Sequence, residues 1–99
     1  MTSSTRSQSQ LELPALLDLN AAGPLAEALH RRVGEDLVLD GSNVQRLGAS
    51  CLQVLIAARR AWATEGAAIS LVNPTPRLVE DMQLLGFDAM AFFDGATPQ

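Results

Sequence analysis

The side chains with the most chemical capability at close spacing are Ser50, Cys51 and Gln53, near the middle of the chain. A serine hydroxyl can act as a nucleophile, accept a phosphate or cap a helix, and a helix N-terminus lowers the pKa of a thiol. Ser50 and Gln53 have the spacing of a capping box, in which the hydroxyl accepts a hydrogen bond from the Gln53 amide. We therefore predict that a helix begins at Ser50 and holds this hydroxyl at its positive end.

A catalytic role for Ser50 would require a nearby base and a tight turn around the nucleophile. The G-x-S-x-G elbow of serine hydrolases has a glycine two positions after the serine, and Leu52 stands there. His30 is the sole histidine, the chain has no lysine for a P-loop, and no residues have metal-ligand spacing. We predict a protein that is not an enzyme and binds no metal or cofactor.

Each of these side chains also has a plainer structural role. Capping a helix is the plainer role of Ser50 and is worth about 1 kcal/mol. Cys51 fits a small buried residue in a first helical turn, and Asp40 fits a strand-end acid that accepts hydrogen bonds from the following turn. We expect His30 to face solvent near a helix C-terminus and Trp62 to pack in the core.

The composition indicates one small domain in a reducing compartment. The 99 residues, of which 47% are hydrophobic, are enough for a single core. The net charge of -4 offers no basic surface for nucleic acid, and a single cysteine excludes an internal disulfide. No apolar stretch reaches the roughly 18 residues of a membrane span, and the first residues do not form a signal peptide. We predict a cytoplasmic protein without membrane insertion, and its oligomeric state stays open.

The two ends of the chain predict poorly ordered segments around one domain at residues 11–93. Residues 1–10 are polar, and ordering them would cost backbone entropy without burying apolar surface. Residues 94–99 are expected to fray. Before them a short hydrophobic piece is expected either to add an edge strand or to pack over the sheet; it contains Phe87, Met90, Phe92 and Phe93.

An edge strand and a first helix are predicted after the N-terminal tail. The alternating run that begins at Leu11 meets Pro14, which has no amide for a sheet and therefore favours an edge. Asp18 or Asn20 then caps an amphipathic helix with Pro24 in its first turn. The apolar stripe of this helix, which Gly34 terminates, consists of Leu25, Ala28, Leu29 and Val33.

The middle of the chain predicts a strand, a helix and a second strand. Residues 37–39 form an apolar run that ends near Asp40 in a cluster of turn-forming residues. The helix that begins at Ser50 is expected to stop at Gly66. Residues 67–72 then form a second apolar run. Because a strand, a helix and a strand in succession normally make a right-handed crossover, the two strands are predicted to be parallel.

A third helix completes the prediction of an α/β fold. Thr75 caps this helix, Pro76 occupies its first position, and Gly86 ends it. Its apolar stripe consists of Leu78, Val79, Met82 and Leu85. The sequence thus predicts a single α/β domain with a small mixed sheet of about four strands and three to four helices packed mainly on one face.

The order of elements and the segment 39–55 resemble the STAS domain, the fold of bacterial anti-sigma-factor antagonists. That family has a strand ending in D-L-S-G-V, a short spacer, and D-S-S-G-L-G at the start of a helix, followed by L-V-N-P-S-P and L-x-G-L-D motifs. The matching positions are Asp40, Ser42 and Val44 in the first motif, Ser50 and Leu52 in the second, 71–76 in the third and 84–88 in the last. The resemblance covers about residues 11–93.

The resemblance places Ser50 on the serine that the partner kinases of the family phosphorylate. This chain has Gly48 where the family has an acid, Ala49 in place of a serine, and Cys51 and Gln53 in place of two glycines. An acid at that place would help a kinase to recognise the hydroxyl, so these departures bear on phosphorylation rather than on the fold. The local sequence also resembles small stand-alone STAS proteins associated with chemotaxis signalling.

What the resemblance implies is a non-enzymatic protein-interaction module in bacterial signalling. Its partner would be a serine kinase, an anti-sigma factor or a chemotaxis kinase, and phosphorylation of Ser50 would place negative charge in the interface. The predicted docking residues are Asp40, Ser42, Asn43, Arg46, Gly48, Ala49, Ser50, Cys51 and Gln53.

The same resemblance leaves a second role open. STAS-like domains also serve as the small cytoplasmic subunit of a lipid ABC transporter, bound to its ATPase. In that role Ser50 would only need to cap the helix and pack.

Overall fold

The computed structural model describes residues 8–89 of the chain. Three predicted features lie wholly or partly outside the described residues. They are residues 1–7 of the predicted tail at 1–10, the hydrophobic residues Met90, Phe92 and Phe93, and the predicted frayed end at 94–99. In chain order the elements are β1 (Gln8–Glu12), β2 (Leu16–Leu17), α1 (Leu19–His30), β3 (Asp36–Asp40), β4 (Arg46–Leu47), α2 (Ala49–Glu65), β5 (Ile69–Val72) and α3 (Pro76–Leu84).

Three strands form a parallel sheet in the order β1-β3-β5. The predicted parallel pairing of the strands before and after α2, β3 and β5, is confirmed, since Leu37 lies opposite Ile69 and Leu39 opposite Leu71. These four side chains are buried, and the intervening side chains of β3 and β5 are half-buried. The core therefore lies on one face of the sheet. This arrangement fits the prediction that the helices pack mainly on one face.

A second, two-stranded ladder lies beside the main sheet and was not predicted. In it β2 pairs with β4 in parallel, with Leu16 opposite Arg46 and Leu17 opposite Leu47. Two residues are too few to show an alternating pattern in a sequence. The described strands thus make one sheet of three and one of two, all parallel, instead of a single mixed sheet of about four, within the predicted α/β class.

The N-terminal half differs from the prediction in two places. Strand β1 begins at Gln8, so residues 8–10, expected to be part of the tail, pair with β3 through their backbone. Their polar side chains did not indicate a strand. A strand at the edge of a sheet needs only one apolar face, so polar residues can take part in it. Asp18 caps α1, with its carboxylate 3.1 Å from the Ala21 amide, so Pro24 lies inside the helix and not in its first turn.

Residues from all three helices contribute to one core that consists mostly of leucines. Helices α1 and α2 pack against each other, and Trp62 of α2 is buried with its indole N–H donating to the Glu35 carbonyl at 2.6 Å. Gly66 ends α2 as predicted, in the left-handed conformation at φ 71°. Among residues 8–89, no helix has both the length and the apolar character needed to cross a membrane.

Candidate functional site

The predicted site lies on the segment from the end of β3 to the first turn of α2, residues 40–53, which we call the corner. After β3 the chain turns tightly, with the Gly41 amide donating to the Val72 carbonyl at 2.9 Å and the Val44 amide donating to the Gly41 carbonyl at 3.2 Å. The segment then becomes extended again in β4 before Gly48 starts α2. The predicted sequence of strand, turn and helix is confirmed, with β4 as an addition.

Asp40 shapes the start of the corner, as its sequence context predicts. Its carboxylate accepts a hydrogen bond from the Ser42 amide at 3.0 Å. That amide, with further contributions from the Ser42 hydroxyl and the Asn73 side chain, lowers the pKa of Asp40 below its ordinary value. An ionised carboxylate therefore holds the turn at neutral pH.

The glycine at position 41 lets the turn pass close to Leu78 and Pro74 without a steric clash. A Cβ atom built on Gly41 would lie 2.9 Å from a methyl carbon of Leu78 and 3.3 Å from the Cα atom of Pro74. Real Cβ atoms essentially never approach other heavy atoms as closely as the first distance. The contact holds the corner against the start of α3.

Helix α3 fixes the corner through two hydrogen bonds from residues distant in sequence. The Thr75 hydroxyl donates to the Val44 carbonyl at 2.6 Å and accepts from the Leu78 amide at 3.1 Å, so the same hydroxyl also caps α3. The Leu47 amide donates to a carboxylate oxygen of Asp81 at 2.9 Å. Both ends of the segment 44–47 are therefore attached to one helix.

Asp81 is the one buried charged residue within the described part of the chain, with 8% of its surface exposed. The Leu47 amide is the largest cause of its lowered pKa, and Arg77, whose Nε lies 3.0 Å from the other carboxylate oxygen, lowers it further. Burial acts in the opposite direction but is outweighed. The carboxylate is thus ionised and fully hydrogen-bonded beneath the corner.

Strand β2 holds the corner from its other side. The Ala15 carbonyl accepts hydrogen bonds from the amides of Gln45 and Arg46, at 2.7 and 3.2 Å. The Leu17 carbonyl accepts one from the Gly48 amide at 2.9 Å. The corner is therefore attached to both β2 and α3 immediately before α2 begins.

Ser50 is not the N-cap of α2, which corrects the predicted capping box with Gln53. Gly48 is the N-cap, with extended backbone and no side-chain hydrogen bond, so Ser50 is the second helical residue. The Leu47 side chain is buried and its amide is bound to Asp81, so the chain remains extended through Leu47 and the helix starts just after it. Ser50 is two positions too late for its hydroxyl to cap this helix.

The Ser50 hydroxyl is free and touches solvent. It makes no hydrogen bond to any residue in the range 8–89, and no buried side-chain oxygen in that range lacks a partner, so this oxygen is not buried. The side chain as a whole is half-buried. The hydroxyl that was predicted at the positive end of the helix therefore reaches solvent, although it has no capping role.

Backbone amides with no helical acceptor lie in the same first turn of α2 as this hydroxyl. The first hydrogen bond of α2 runs from the Leu52 amide to the Gly48 carbonyl, at 3.1 Å. The amides of Ala49, Ser50 and Cys51 precede it and point along the helix axis toward the corner. They and the helix dipole favour negative charge at this end.

Cys51 was predicted as a docking residue, but it is buried, with an exposed fraction of 0%, and a docked partner could not contact its side chain. Its thiol donates to the Asp18 carbonyl, with 3.3 Å between sulfur and oxygen, which ties α2 to the start of α1. Burial, with a smaller effect of the Asp18 carboxylate, raises the pKa of this thiol. Cys51 is a structural residue, in agreement with the prediction of a small buried side chain in a first helical turn.

The remaining predicted docking residues lie along the surface of the corner. Ser42, Asn43, Arg46, Ala49 and Gln53 are exposed, and Asp40, Gly48 and Ser50 are half-buried.

His30 is exposed in the last turn of α1, whose first turn is the part close to Cys51. A helix of this length separates its two ends by roughly 17 Å. The sole histidine is therefore far from the Ser50 hydroxyl.

Neither the role of Asp81 nor the second role of Thr75 was predicted from the sequence. A signal for Asp81 was present, because it falls on the apolar stripe of α3, three positions after Leu78 and next to Met82. A charged residue on a buried helical face normally has a specific partner. Nothing in the sequence indicated that this partner would be the Leu47 amide, 34 positions earlier.

Comparison with known proteins gives one match. A family model described as "Mlab, STAS domain" matches residues 1–92. No match to the chain was found among curated proteins or among solved structures.

Proposed function

This chain belongs to the STAS domain family, and on that basis we propose that it docks a protein partner in bacterial signalling through the corner. STAS domains are generally non-enzymatic binding modules that act through protein partners. The proposed partner is a serine kinase, an anti-sigma factor or a chemotaxis kinase. Phosphorylation of Ser50 is the proposed control of that binding.

The observation that carries the proposal is the free Ser50 hydroxyl on a fixed surface. Its segment is attached to α3 through Val44 and Leu47 and to β2 through Gly48, so the surface is ordered before any partner arrives. A preformed surface loses less conformational entropy on binding than a mobile loop does.

A phosphate on Ser50 would change the binding surface without requiring the domain to refold. It would add about 1.5 to 2 negative charges at neutral pH, in the same turn as the amides of residues 49–51, which have no acceptor within the helix, and at the positive end of α2. A partner that covers the corner with apolar or acidic groups would then meet charge and bulk. Binding would accordingly depend on dephosphorylation.

Gly48 supports a second candidate function. The family's acid two positions before the serine is absent, and a docking surface that needs no phosphate would not require it. In this alternative the chain is the small cytoplasmic subunit of a lipid ABC transporter, and its partner is the ATPase. The same corner would then form a permanent contact.

Two measurements on the protein from its own cells separate these candidates. In a pull-down with the full chain, co-purification of a kinase or anti-sigma factor supports the first and co-purification of a membrane-associated ATPase supports the second. Intact mass of the isolated protein, taken in several growth conditions, tests the control step. Absence of phosphate from Ser50 in every condition would contradict regulation by phosphorylation and leave the binding function in place.

A further inference from the structure

The corner itself exposes no large apolar side chain. Val44, Leu47 and Leu52 point into the core, and the exposed positions are polar or small. Stable protein interfaces have an apolar centre within a polar rim. If the corner docks a partner, its apolar centre must therefore come from a neighbouring segment.

Two exposed leucines flank the corner. Leu16 has 54% of its surface exposed and Leu19 has 76%. Leu16 belongs to β2, which pairs with the last strand of the corner, and Leu19 begins α1 directly after Asp18, whose carbonyl accepts the Cys51 thiol. Both leucines thus stand on the edge where the N-termini of α1 and α2 meet.

The short parallel ladder places a cation beside the first leucine. Leu16 and Arg46 are register partners, so their side chains lie on the same side of the ladder. The next pair, Leu17 and Leu47, is buried on the opposite side and anchors the ladder in the core. The exposed pair is therefore presented from a rigid support.

The Arg46 guanidinium makes no hydrogen bond or ion pair with any residue in the described range. The positive charge of Arg46 contributes to the lowered pKa of Asp81. The Asp81 carboxylate, however, already accepts hydrogen bonds from the Leu47 amide and from Arg77. The Arg46 guanidinium is thus available to a carboxylate from outside the chain.

We propose that Leu16, Leu19 and Arg46 form the anchor of the docking surface, and that they receive a partner segment with an apolar side chain next to a carboxylate. This inference rests on the proposed docking role of the corner and specifies the chemistry of the partner. The apolar side chain packs between the two leucines while the carboxylate pairs with Arg46. A phosphate on Ser50, on the adjacent first turn of α2, repels that carboxylate.

The test is a titration of full-length variants with the purified kinase or ATPase that the wild-type chain retains in the pull-down. Leu16→Ser, Leu19→Ser and Arg46→Glu are each expected to weaken binding at least tenfold. Val33→Ser, past the opposite end of α1, and Arg60→Glu, about 15 Å along α2 from Ser50, are matched controls expected to bind within twofold of wild type. Thermal unfolding of every variant verifies folding, which is expected because the three substituted side chains are exposed.

Salt dependence provides a second readout that a purely structural role would not change. Rising ionic strength is expected to weaken wild-type binding more than that of Arg46→Gln, because the exposed ion pair is screened. If the leucine variants bind within twofold of wild type while Ser50→Asp weakens binding, the anchor is overturned and docking at the corner stands. If Ser50→Asp also binds as wild type does, both proposals are overturned.

Discussion

The Leu47 amide donates a 2.9 Å hydrogen bond to the carboxylate of Asp81, 34 positions further along the chain, and so joins β4 of the corner to α3. Through this bond and the hydrogen bond from Thr75 to Val44, α3 supports the corner. None of the predicted docking residues belongs to α3. The shape of the corner is therefore a property of the whole fold.

Asp81→Asn is predicted to lower the free energy of unfolding by about 1–3 kcal/mol at pH 7, because a buried, charge-assisted hydrogen bond is weakened. The pKa of Asp81 is lowered in the folded protein. The contribution of its charge is therefore complete above the unfolded value of about 3.9 and is lost as pH falls through the lowered folded value.

Chemical denaturation at a series of pH values measures this difference. The gap between wild type and Asp81→Asn should be largest near neutral pH and should shrink below about pH 4. Glu80→Gln, an exposed neighbour on the same helix, removes the same charge and should stay within about 0.5 kcal/mol of wild type. A gap that does not change with pH would show that the charge of Asp81 has no part in stability.

Ser50→Ala and Thr75→Ala are predicted to have unequal effects on stability although both remove a hydroxyl near a helix start. Thr75 caps α3 and donates to Val44, so its loss should cost about 1–2 kcal/mol. The Ser50 hydroxyl has no partner in the described range, so its removal should change stability by less than about 0.5 kcal/mol. Thermal unfolding compares the two, and equal destabilisation would mean that Ser50 is a cap after all.

Gly41→Ala is predicted to destabilise the protein by about 1–3 kcal/mol. The added methyl group would press on Leu78 and on the backbone of Pro74. Gly23→Ala is the matched control, since nothing lies within 4 Å of a Cβ at that helical position, and it should raise stability by about 0.5–1 kcal/mol. Urea denaturation of both variants checks this, and a neutral Gly41→Ala would show that the turn can move away from α3.

Gly48→Asp is predicted to raise stability by a few tenths of a kcal/mol, because residue 48 is an N-cap without a side chain. The site has room, since the nearest atom to an added Cβ is the Leu17 carbonyl oxygen at 3.6 Å. Gly48→Asn supplies the same cap without charge. If an acid aids kinase recognition, Gly48→Asp should be phosphorylated at Ser50 faster than Gly48→Asn by the partner kinase, and equal rates would remove the proposed importance of the missing acid.

The local features of the fold could be read from the sequence, and the distant contacts could not. Thr75 and Pro76 mark the start of α3 because capping depends only on neighbouring residues, and the left-handed Gly66 marks the end of α2. Ser50 and Gln53 had an equally good local pattern, but distant contacts at Leu47 set where α2 begins.

The candidate site was predictable in position but not in detail. The strand, turn and helix around Ser50 followed from periodicity and turn-forming residues, and Asp40 acts as its position indicated. The hydrogen bond from the Cys51 thiol to the Asp18 carbonyl and the exposure of Leu16 depend on how α1 and β2 meet α2. No pattern within one segment carries that information.

The affinity of Ser50→Asp for the partner tests the docking claim most directly. An aspartate at the second position of α2 is favourable to the helix dipole, so weaker binding could not be attributed to unfolding. Thr64→Asp adds the same charge at an exposed position in the last turn of α2 and serves as the control. By isothermal titration of the full chain, we predict at least tenfold weaker binding for Ser50→Asp and wild-type binding for Thr64→Asp; wild-type affinity in Ser50→Asp would contradict the account.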